Sequence, residues 1–283
     1  MINIVFWNTD ISSKYKPNVE KSKYINNVII DLVMKYKCDI IVLAEYGLNL
    51  NSLCTELSIK GREFREGPIA SDTRVKLLID TRFLAELIRD SKYYFACTIK
   101  NYAGMEFLLS GVHLPSKLNA NGVDRDIVVG DLMNDIRESE ESVGHEKSII
   151  VGDFNADPFE EVMIKADKLH AIPYANIVEQ RERRIVYSRA RQIFYNPMWN
   201  FMGDYCNTSA CTYYCDVGGA INLYKNIFDQ VIFSAHMIKY FLKETLQIMT
   251  KVGNMALVDD NGIPSRDLYS DHLPIMFSIR EEL

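Results

Sequence analysis

Long apolar runs are missing from this 283-residue sequence. No stretch approaches the roughly 20 apolar residues a helix needs to cross a bilayer, so a helical membrane protein is not expected. The chain enters Ile2-Asn3-Ile4-Val5-Phe6 at once, without a basic stretch leading into an apolar one. No secretory leader is expected, and the cytoplasm is the default compartment. Excess positive charge is missing as well: 32 Lys and Arg stand against 38 Asp and Glu, for a net charge of −6. That excludes a molecule basic all over, as a general nucleic-acid coat would be, and leaves room only for a local basic patch. Cysteine is modest, at six residues, and none is in C-x-x-C spacing. Cys206, Cys211 and Cys215 cluster, but no His stands at zinc-ligand spacing beside them, so reduced, partly buried thiols are expected. Internal repeats and low-complexity linkers are also absent.

What is present is ordinary for a globular chain, with 48% apolar and 25% charged residues. The length suffices for one large domain or two small ones. Strands are predicted at 2–7, 39–44, 75–80, 92–100, 105–112, 147–152, 227–234 and 273–279. Those at 75–80, 92–100 and 105–112 read as one antiparallel meander. Ile25, Val28, Ile29, Leu32, Val33 and Tyr36 recur at helical spacing, predicting a helix over 19–37 with Asn18 as N-cap. Further helices are predicted at 51–59, 123–142 and 159–169. Strands and helices mix throughout, which predicts one α/β domain with mixed sheets over residues 1–283. Residues 180–225 lack periodicity and read as an elaborated loop region.

Polar residues gather where the strands end. Val151-Gly152-Asp153-Phe154-Asn155 follows a buried apolar run, and Ser270-Asp271-His272 precedes another. Asn8, Glu45 and His113 also stand at strand ends. In layered α/β folds such ends converge on one crevice. Each residue alone has an ordinary explanation: Glu45 as a solvated strand end, Asp153 as a turn former, Asn155 as a helix cap near Pro158, His113 as a structural histidine. Asp229 could interrupt an edge strand, but a buried acid needs a partner, and His272 is available. Asp229 aside, the three carboxylates, two amides and two imidazoles at the strand ends suit a hard cation, Mg2+ or Mn2+, better than zinc. Such an ion polarises phosphoryl oxygens and lowers the pKa of bound water.

In order along the chain, Phe6-Trp7-Asn8, Leu43-Ala44-Glu45, Gly111-Val112-His113-Leu114, Val151-Gly152-Asp153-Phe154-Asn155, Phe228-Asp229-Gln230-Val231 and Ser270-Asp271-His272-Leu273-Pro274 resemble the endonuclease/exonuclease/phosphatase superfamily, the DNase I-like fold. The resemblance runs from residue 2 to 279. It implies a four-layered α/β sandwich, two packed mixed β-sheets flanked by helices. It also implies roles: Glu45 as principal metal ligand, with Asn8 and Asp271 beside it; Asp153 to orient or deprotonate the attacking water; Asn155 to bind that water or a phosphate oxygen. His272, oriented by Asp229, would stabilise the transition state, and His113 would bind phosphate or help protonate the leaving group. Two departures stand out. The strand after Glu45 is Arg74-Val75-Lys76-Leu77-Leu78-Ile79 where the family often has small, glycine-rich residues, and Arg74 is a candidate phosphate contact. Phe228-Asp229-Gln230 replaces the Cys-Asp-Arg of lipid 5-phosphatases, which disfavours that branch.

For substrate, residues 180–191 carry five arginines against one acid. Aromatics follow at Phe194, Tyr195, Trp199, Tyr205, Tyr213 and Tyr214. Arg183, Arg184, Arg189, Arg191 and Trp199 are the candidate nucleic-acid contacts, since arginines hold phosphates and aromatics stack on bases. The competing explanation is a solvated basic helix followed by aromatic packing. A metal-dependent DNA or RNA nuclease is the expected function. The alternatives are a phosphatase or phosphodiesterase for a small nucleotide or phospholipid ester, and a non-catalytic binding module on the same fold.

Overall fold

The computed structural model describes residues 1–11, 19–70, 72–117, 122–203, 211–217 and 223–282. The expected N-cap Asn18, together with Tyr205 and Cys206, lies outside the described residues. In chain order the first half comprises β1 (Ile2–Ile11), α1 (Val19–Lys35), β2 (Ile40–Tyr46), α2 (Leu50–Ile59), β3 (Phe64–Glu66), β4 (Val75–Asp80), β5 (Phe83–Asp90), β6 (Tyr94–Asn101), β7 (Glu106–His113), α3 (Gly122–Val143) and β8 (Ser148–Asp153). The second half begins with α4 (Glu161–Ile164), β9 (Ala171–Ile172), α5 (Ala175–Arg181), β10 (Arg183–Val186), β11 (Arg189–Gln192), β12 (Phe194–Tyr195) and a 3-10 helix (Pro197–Phe201). It continues through β13 (Tyr213–Tyr214), β14 (Lys225–Asn226), β15 (Asp229–Ser234), α6 (Ala235–Ile238), β16 (Phe241–Ile248), β17 (Lys251–Val252), β18 (Met255–Ala256) and β19 (Ile275–Ile279).

Two large mixed sheets hold most of these strands. One is six-stranded, in the order β16-β19-β1-β2-β4-β3, and the other seven-stranded, β5-β6-β7-β8-β15-β12-β9. β1 runs parallel to β2 and antiparallel to β19. β8 runs parallel to β7 and antiparallel to β15. The sheets face each other through β1, β2 and β4 on one side and β7, β8 and β15 on the other. α1 lays Ile25, Val28, Ile29, Leu32 and Val33 on the first sheet, and α3 lays Val129, Leu132 and Ile136 on the second. This is the four-layered sandwich that the sequence implies. The central strands are covered on both faces, which is why β1, β2 and β8 are apolar runs without polar alternation. No helix of the described residues is long and apolar enough to cross a membrane.

Three predicted elements need correction, and two strands escaped prediction. Strand 75–80 (β4) joins the first sheet, and the meander is β5-β6-β7 in the second. The missing member, Phe83–Asp90, alternates buried and solvent-facing residues, and its charged outer face hid it. β16 was hidden because adjacent Lys243 and Glu244, both exposed, interrupt its apolar pattern at a register irregularity. The predicted helix 159–169 shrinks to α4, because Lys165 turns to an extended conformation and the chain must bring Ala171 alongside Phe194. The arginine-rich run is neither loop nor helix beyond Arg181: it forms the antiparallel hairpin β10-β11.

Where β8 begins, a buried carboxylate is held away from water. Glu140 of α3 accepts the Ser148 hydroxyl at 2.5 Å and the Gln192 amide at 3.3 Å. Burial nevertheless pushes its carboxyl up from 4.5 to about 7, against the pull of those two donors. The folded protein holds this proton more tightly than the unfolded chain does. The stabilisation is therefore complete below the unfolded value and is lost as pH rises through about 7. Glu140→Gln is expected to increase unfolding free energy by about 1–3 kcal/mol near pH 8 and to change it little near pH 4. Denaturant melts at the two pH values test this, and an equal effect at both would refute it.

Candidate functional site

The polar strand ends do converge. β1, β2, β7, β8 and β15 deliver their residues to one end of the paired sheets, and the loop before β19 adds Ser270, Asp271 and His272. The backbone is specialised at each point. Glycine is required at Gly152, where a Cβ would lie 2.0 Å from the Val112 carbonyl oxygen. The parallel approach of β7 and β8 leaves room only for hydrogen there, and it sets Asp153 opposite His113. Between β1 and β2, Ala44 pairs with Asn8 but Tyr46 pairs with Ile11. This bulge gives Asp10 and Glu45 positive φ values of 48° and 51° and re-aims both carboxylates. Asn155, at φ 49°, turns its N–H back onto Asp153 Oδ1 at 2.8 Å and so does not cap a helix.

At the centre lie His272, Asp229 and Asp153. His272 Nδ1 is 2.8 Å from Asp229 Oδ2, and its Nε2 is 3.9 Å from Asp153 Oδ2. Asp153 Oδ2 also accepts the Asn8 amide at 3.0 Å. The imidazole is oriented from behind. Trp7 Nε1 donates to the His272 carbonyl at 3.0 Å, the Ser270 hydroxyl accepts the His272 N–H at 3.0 Å, and Tyr213 lies across the ring at 4.7 Å between centroids. Burial by itself would favour the neutral ring, but Asp229 and Asp153 overcome it and raise His272 to about 10. Burial also drives the Asp153 carboxyl upward, aided by Asp229 and opposed by His272, the Asn155 N–H and the Asn8 amide. The two carboxylates thus favour the charged imidazole over the neutral one.

A second group flanks these three residues. His113 Nε2 lies 3.4 Å from Glu45 Oε1 and 3.7 Å from Asp153 Oδ2. Burial, with Arg74 and His272 nearby, holds this ring neutral, down to about 3, and the two carboxylates do not offset that. Burial and the neighbouring Asp10 raise Glu45, while burial and Asp10 also raise Asp271. Among the described residues Glu45 has no ion-pair partner except this neutral histidine.

These donors fit a divalent cation. An oxygen set of Glu45, Asp271 and the Asn8 carbonyl, with excess negative charge and no sulfur, suits a hard ion. Asp153, Asp229 and His272 also bring ligand atoms within 4.8 Å of one another. His272 Nδ1 is already hydrogen-bonded to Asp229 Oδ2 at 2.8 Å, however, so a His–Asp pair accounts for that contact without an ion.

The rim carries cations and rings. The Arg74 guanidinium sits 5.2 Å from the Tyr93 ring centroid, and Tyr93 accepts the His113 N–H through its carbonyl. Opposite, Lys117 lies 6.0 Å from the Phe228 ring, on which Tyr213 stacks at 5.2 Å. Arg266 stands 3.5 Å from Asp10 and 3.7 Å from Asp271.

The expected residues therefore divide. Asn8, Glu45, His113, Asp153, Asn155, Asp229, Asp271 and His272 come together, with Arg74 at their edge. Arg183, Arg184, Arg189 and Arg191 do not. Arg183 pairs with Glu146, and Gln192 with Glu140 beside Ser148, which puts the hairpin where β8 begins. Asp153 is where β8 ends, roughly 16 Å away over five steps of about 3.3 Å. Trp199 is half-buried on the 3-10 helix packed against β15. Its indole N–H is buried without an acceptor among the described residues, and it makes no ring contact with the cluster. Asp10, Tyr213 and Arg266 were not picked out as site residues. Only Asp10 had a signal, an acid two residues after Asn8 on the same strand. Arg125, also missed, is a buried cation whose guanidinium binds the carbonyls of Phe154 and Asn155 at 2.8 and 2.7 Å.

No protein-family model matches the chain, and no curated protein does. Solved structures do. The chain is similar to D. rerio TDP2 complexed with single strand DNA product, at 15% identity and TM-score 0.58 over 99% of this chain and 98% of that one. It is similar to the human Nocturnin catalytic domain with bound sulfate anion, at 17% identity and TM-score 0.53 over 99% and 94%. An endonuclease/exonuclease/phosphatase family protein from Bacteroides thetaiotaomicron matches at 14% identity and TM-score 0.54 over 100% and 98%. The chain has the four-layered α/β sandwich fold of these structures, as the sequence motifs imply. At these identities the likeness establishes the fold.

Proposed function

We propose that this chain, on its DNase I-like fold, is a metal-dependent phosphodiester hydrolase acting on a polynucleotide. The observation that carries the reading is the buried His272, with Nδ1 on Asp229 at 2.8 Å and Nε2 3.9 Å from Asp153, beside Glu45, whose one ion-pair partner among the described residues is His113. A phosphodiester is anionic and resists attack, so its hydrolysis needs charge neutralisation, positioning and a base.

The residues supply each of these. Glu45, Asn8 and Asp271 would hold Mg2+ or Mn2+. When bound, such an ion neutralises phosphate charge and acidifies water. Asp153 accepts the proton of the attacking water, its carboxylate oriented by the Asn8 amide and the Asn155 N–H. His272 aims its Nε2–H at a phosphoryl oxygen, and the 3.9 Å from Nε2 to Asp153 is too long for a direct hydrogen bond. Asn155 uses one amide hydrogen on the Leu114 carbonyl and has a second for a phosphate oxygen. His113, neutral, serves as a hydrogen-bond donor and not as the acid for the leaving group. A polynucleotide is favoured by the rim, where Arg74 and Tyr93 offer a cation and a ring to a flanking nucleotide, and where Lys117, paired with Glu160 at 2.7 Å, stands over Phe228. That the D. rerio relative was solved with a single strand DNA product supports the same reading.

The test is a substrate panel of duplex DNA, single-stranded DNA, RNA and bis-p-nitrophenyl phosphate, each with Mg2+ or Mn2+ and with EDTA. Metal-dependent cleavage that EDTA abolishes is the expected result. Glu45→Gln should raise the metal concentration needed for half-maximal rate by at least about 10-fold, the scale on which metal-site substitutions act. Absence of cleavage of every phosphodiester at every metal would overturn the proposal.

A further inference from the structure

We propose that the β10-β11 hairpin is a second nucleic-acid contact, remote from the catalytic cluster, which grips the phosphate backbone beyond the scissile segment. This rests on the polynucleotide reading of the site. The strand register sorts the hairpin's side chains. Arg184 pairs with Arg191 and Val186 with Arg189, while Arg183 pairs with Gln192 and Ile185 with Ala190. Cross-strand partners share a face and alternate residues change face. One face therefore carries Arg184, Arg189 and Arg191 together. The other turns Arg183 and Gln192 onto Glu146 and Glu140, and His170 Nδ1 donates to the Gln192 carbonyl at 2.7 Å. One face docks the hairpin on the body and the other is left as an arginine ladder.

That ladder has no partner within the described residues: Arg184, Arg189 and Arg191 make no ion pair there. Two like charges set directly opposite each other disfavour the hairpin itself. The two central turn residues, Tyr187 and Ser188, have φ values of 48° and 62°, a geometry that Asn-Gly adopts far more easily. Nothing local explains this composition, whereas a polyanion across the ladder would neutralise it. The chain carries net charge −6, so these guanidiniums stand out from the field of the whole molecule. A two-stranded ribbon also fits a nucleic-acid groove, and Tyr187, 97% exposed at the tip, can stack on a base. A lipid bilayer fits less well. The exposed Ile185 lies on the face opposite the arginine ladder, so apolar and basic side chains do not share a plane, and a single Tyr and Ile offer little apolar area for insertion.

The test reads binding in Asp153→Asn protein, so that it does not depend on cleavage. Probes are a 30-bp DNA duplex, a 30-nt RNA, and vesicles of phosphatidylcholine with phosphatidylserine. Adding Arg184→Glu, Arg189→Glu and Arg191→Glu together should weaken nucleic-acid binding by at least about 10-fold. The slope of log K against log salt should fall by roughly 2 to 3, for three lost phosphate contacts. The triple Arg→Lys variant should retain most of the affinity, and the triple Arg→Ala variant substitutes if charge reversal unfolds the protein. In the catalytically intact background, turnover of bis-p-nitrophenyl phosphate should stay unchanged. Unaltered nucleic-acid affinity and salt slope in a folded triple variant would overturn the proposal, as would hairpin-dependent binding of vesicles alone. Hairpin-dependent binding by a protein that cleaves nothing would sink the catalytic reading and leave this one standing.

Discussion

Asp153→Asn is expected to lower turnover of the cleaved phosphodiester by at least about 10²-fold while leaving the fold intact, the scale for removing one preorganised group at a reacting centre. The side chain keeps its size but loses its capacity to accept a proton. His272 then also loses one of the two carboxylates that hold it charged. His272→Ala should cost turnover on the same scale, because it removes the buried cation between Asp229 and Asp153. The double variant should fall little further, since residues that act as one unit are strongly non-additive. Single-turnover rates with a saturating oligonucleotide, beside near-UV circular dichroism to confirm folding, decide the matter. Near-wild-type rates in either single variant would remove these residues from the chemistry.

Gly152→Ala is expected to destabilise the protein by at least about 3 kcal/mol, at the upper end for overpacking a core. The added Cβ would lie 2.0 Å from the Val112 carbonyl oxygen and 2.6 Å from a Val112 methyl. The first of these is backbone and cannot rotate away. Relief requires β7 and β8 to separate, and these strands carry His113 and Asp153 in register. Activity should therefore fall together with stability. Gly130→Ala is the internal control, as a Cβ there meets nothing within 4 Å. Urea melts that place the two variants within about 1 kcal/mol of each other would show that the strands tolerate the methyl group.

The readable part of this chain was whatever local patterning encodes. The central strands announced themselves as apolar runs because both their faces are covered, and α1 showed a clean helical period. β5 escaped because it exposes one charged face, and β16 because adjacent exposed Lys243 and Glu244 interrupt its apolar pattern, so both resembled connecting segments. The arginine run misled for a related reason. Its charges are local, but whether they border the crevice depends on Arg183 meeting Glu146 and Gln192 meeting Glu140, contacts made at the far end of β8.

For the site, the sequence by itself determined the chemical types and their stations. A Gly before Asp153, an Asp at the start of β15, and Asp271-His272 ahead of the last strand are written in the order of residues. The resemblance of those motifs to the superfamily carried the fold as well. Tertiary structure alone decided protonation and reach. Asp229 and Asp153 overcome the burial of His272 and favour its cation, while burial, with Arg74 and His272 nearby, keeps His113 neutral. Two histidines of the same chain, each next to carboxylates, thus carry different charges. That difference depends on distances and desolvation across segments more than 200 residues apart in the chain, as Trp7 and His272 are, and no local pattern of residues records it.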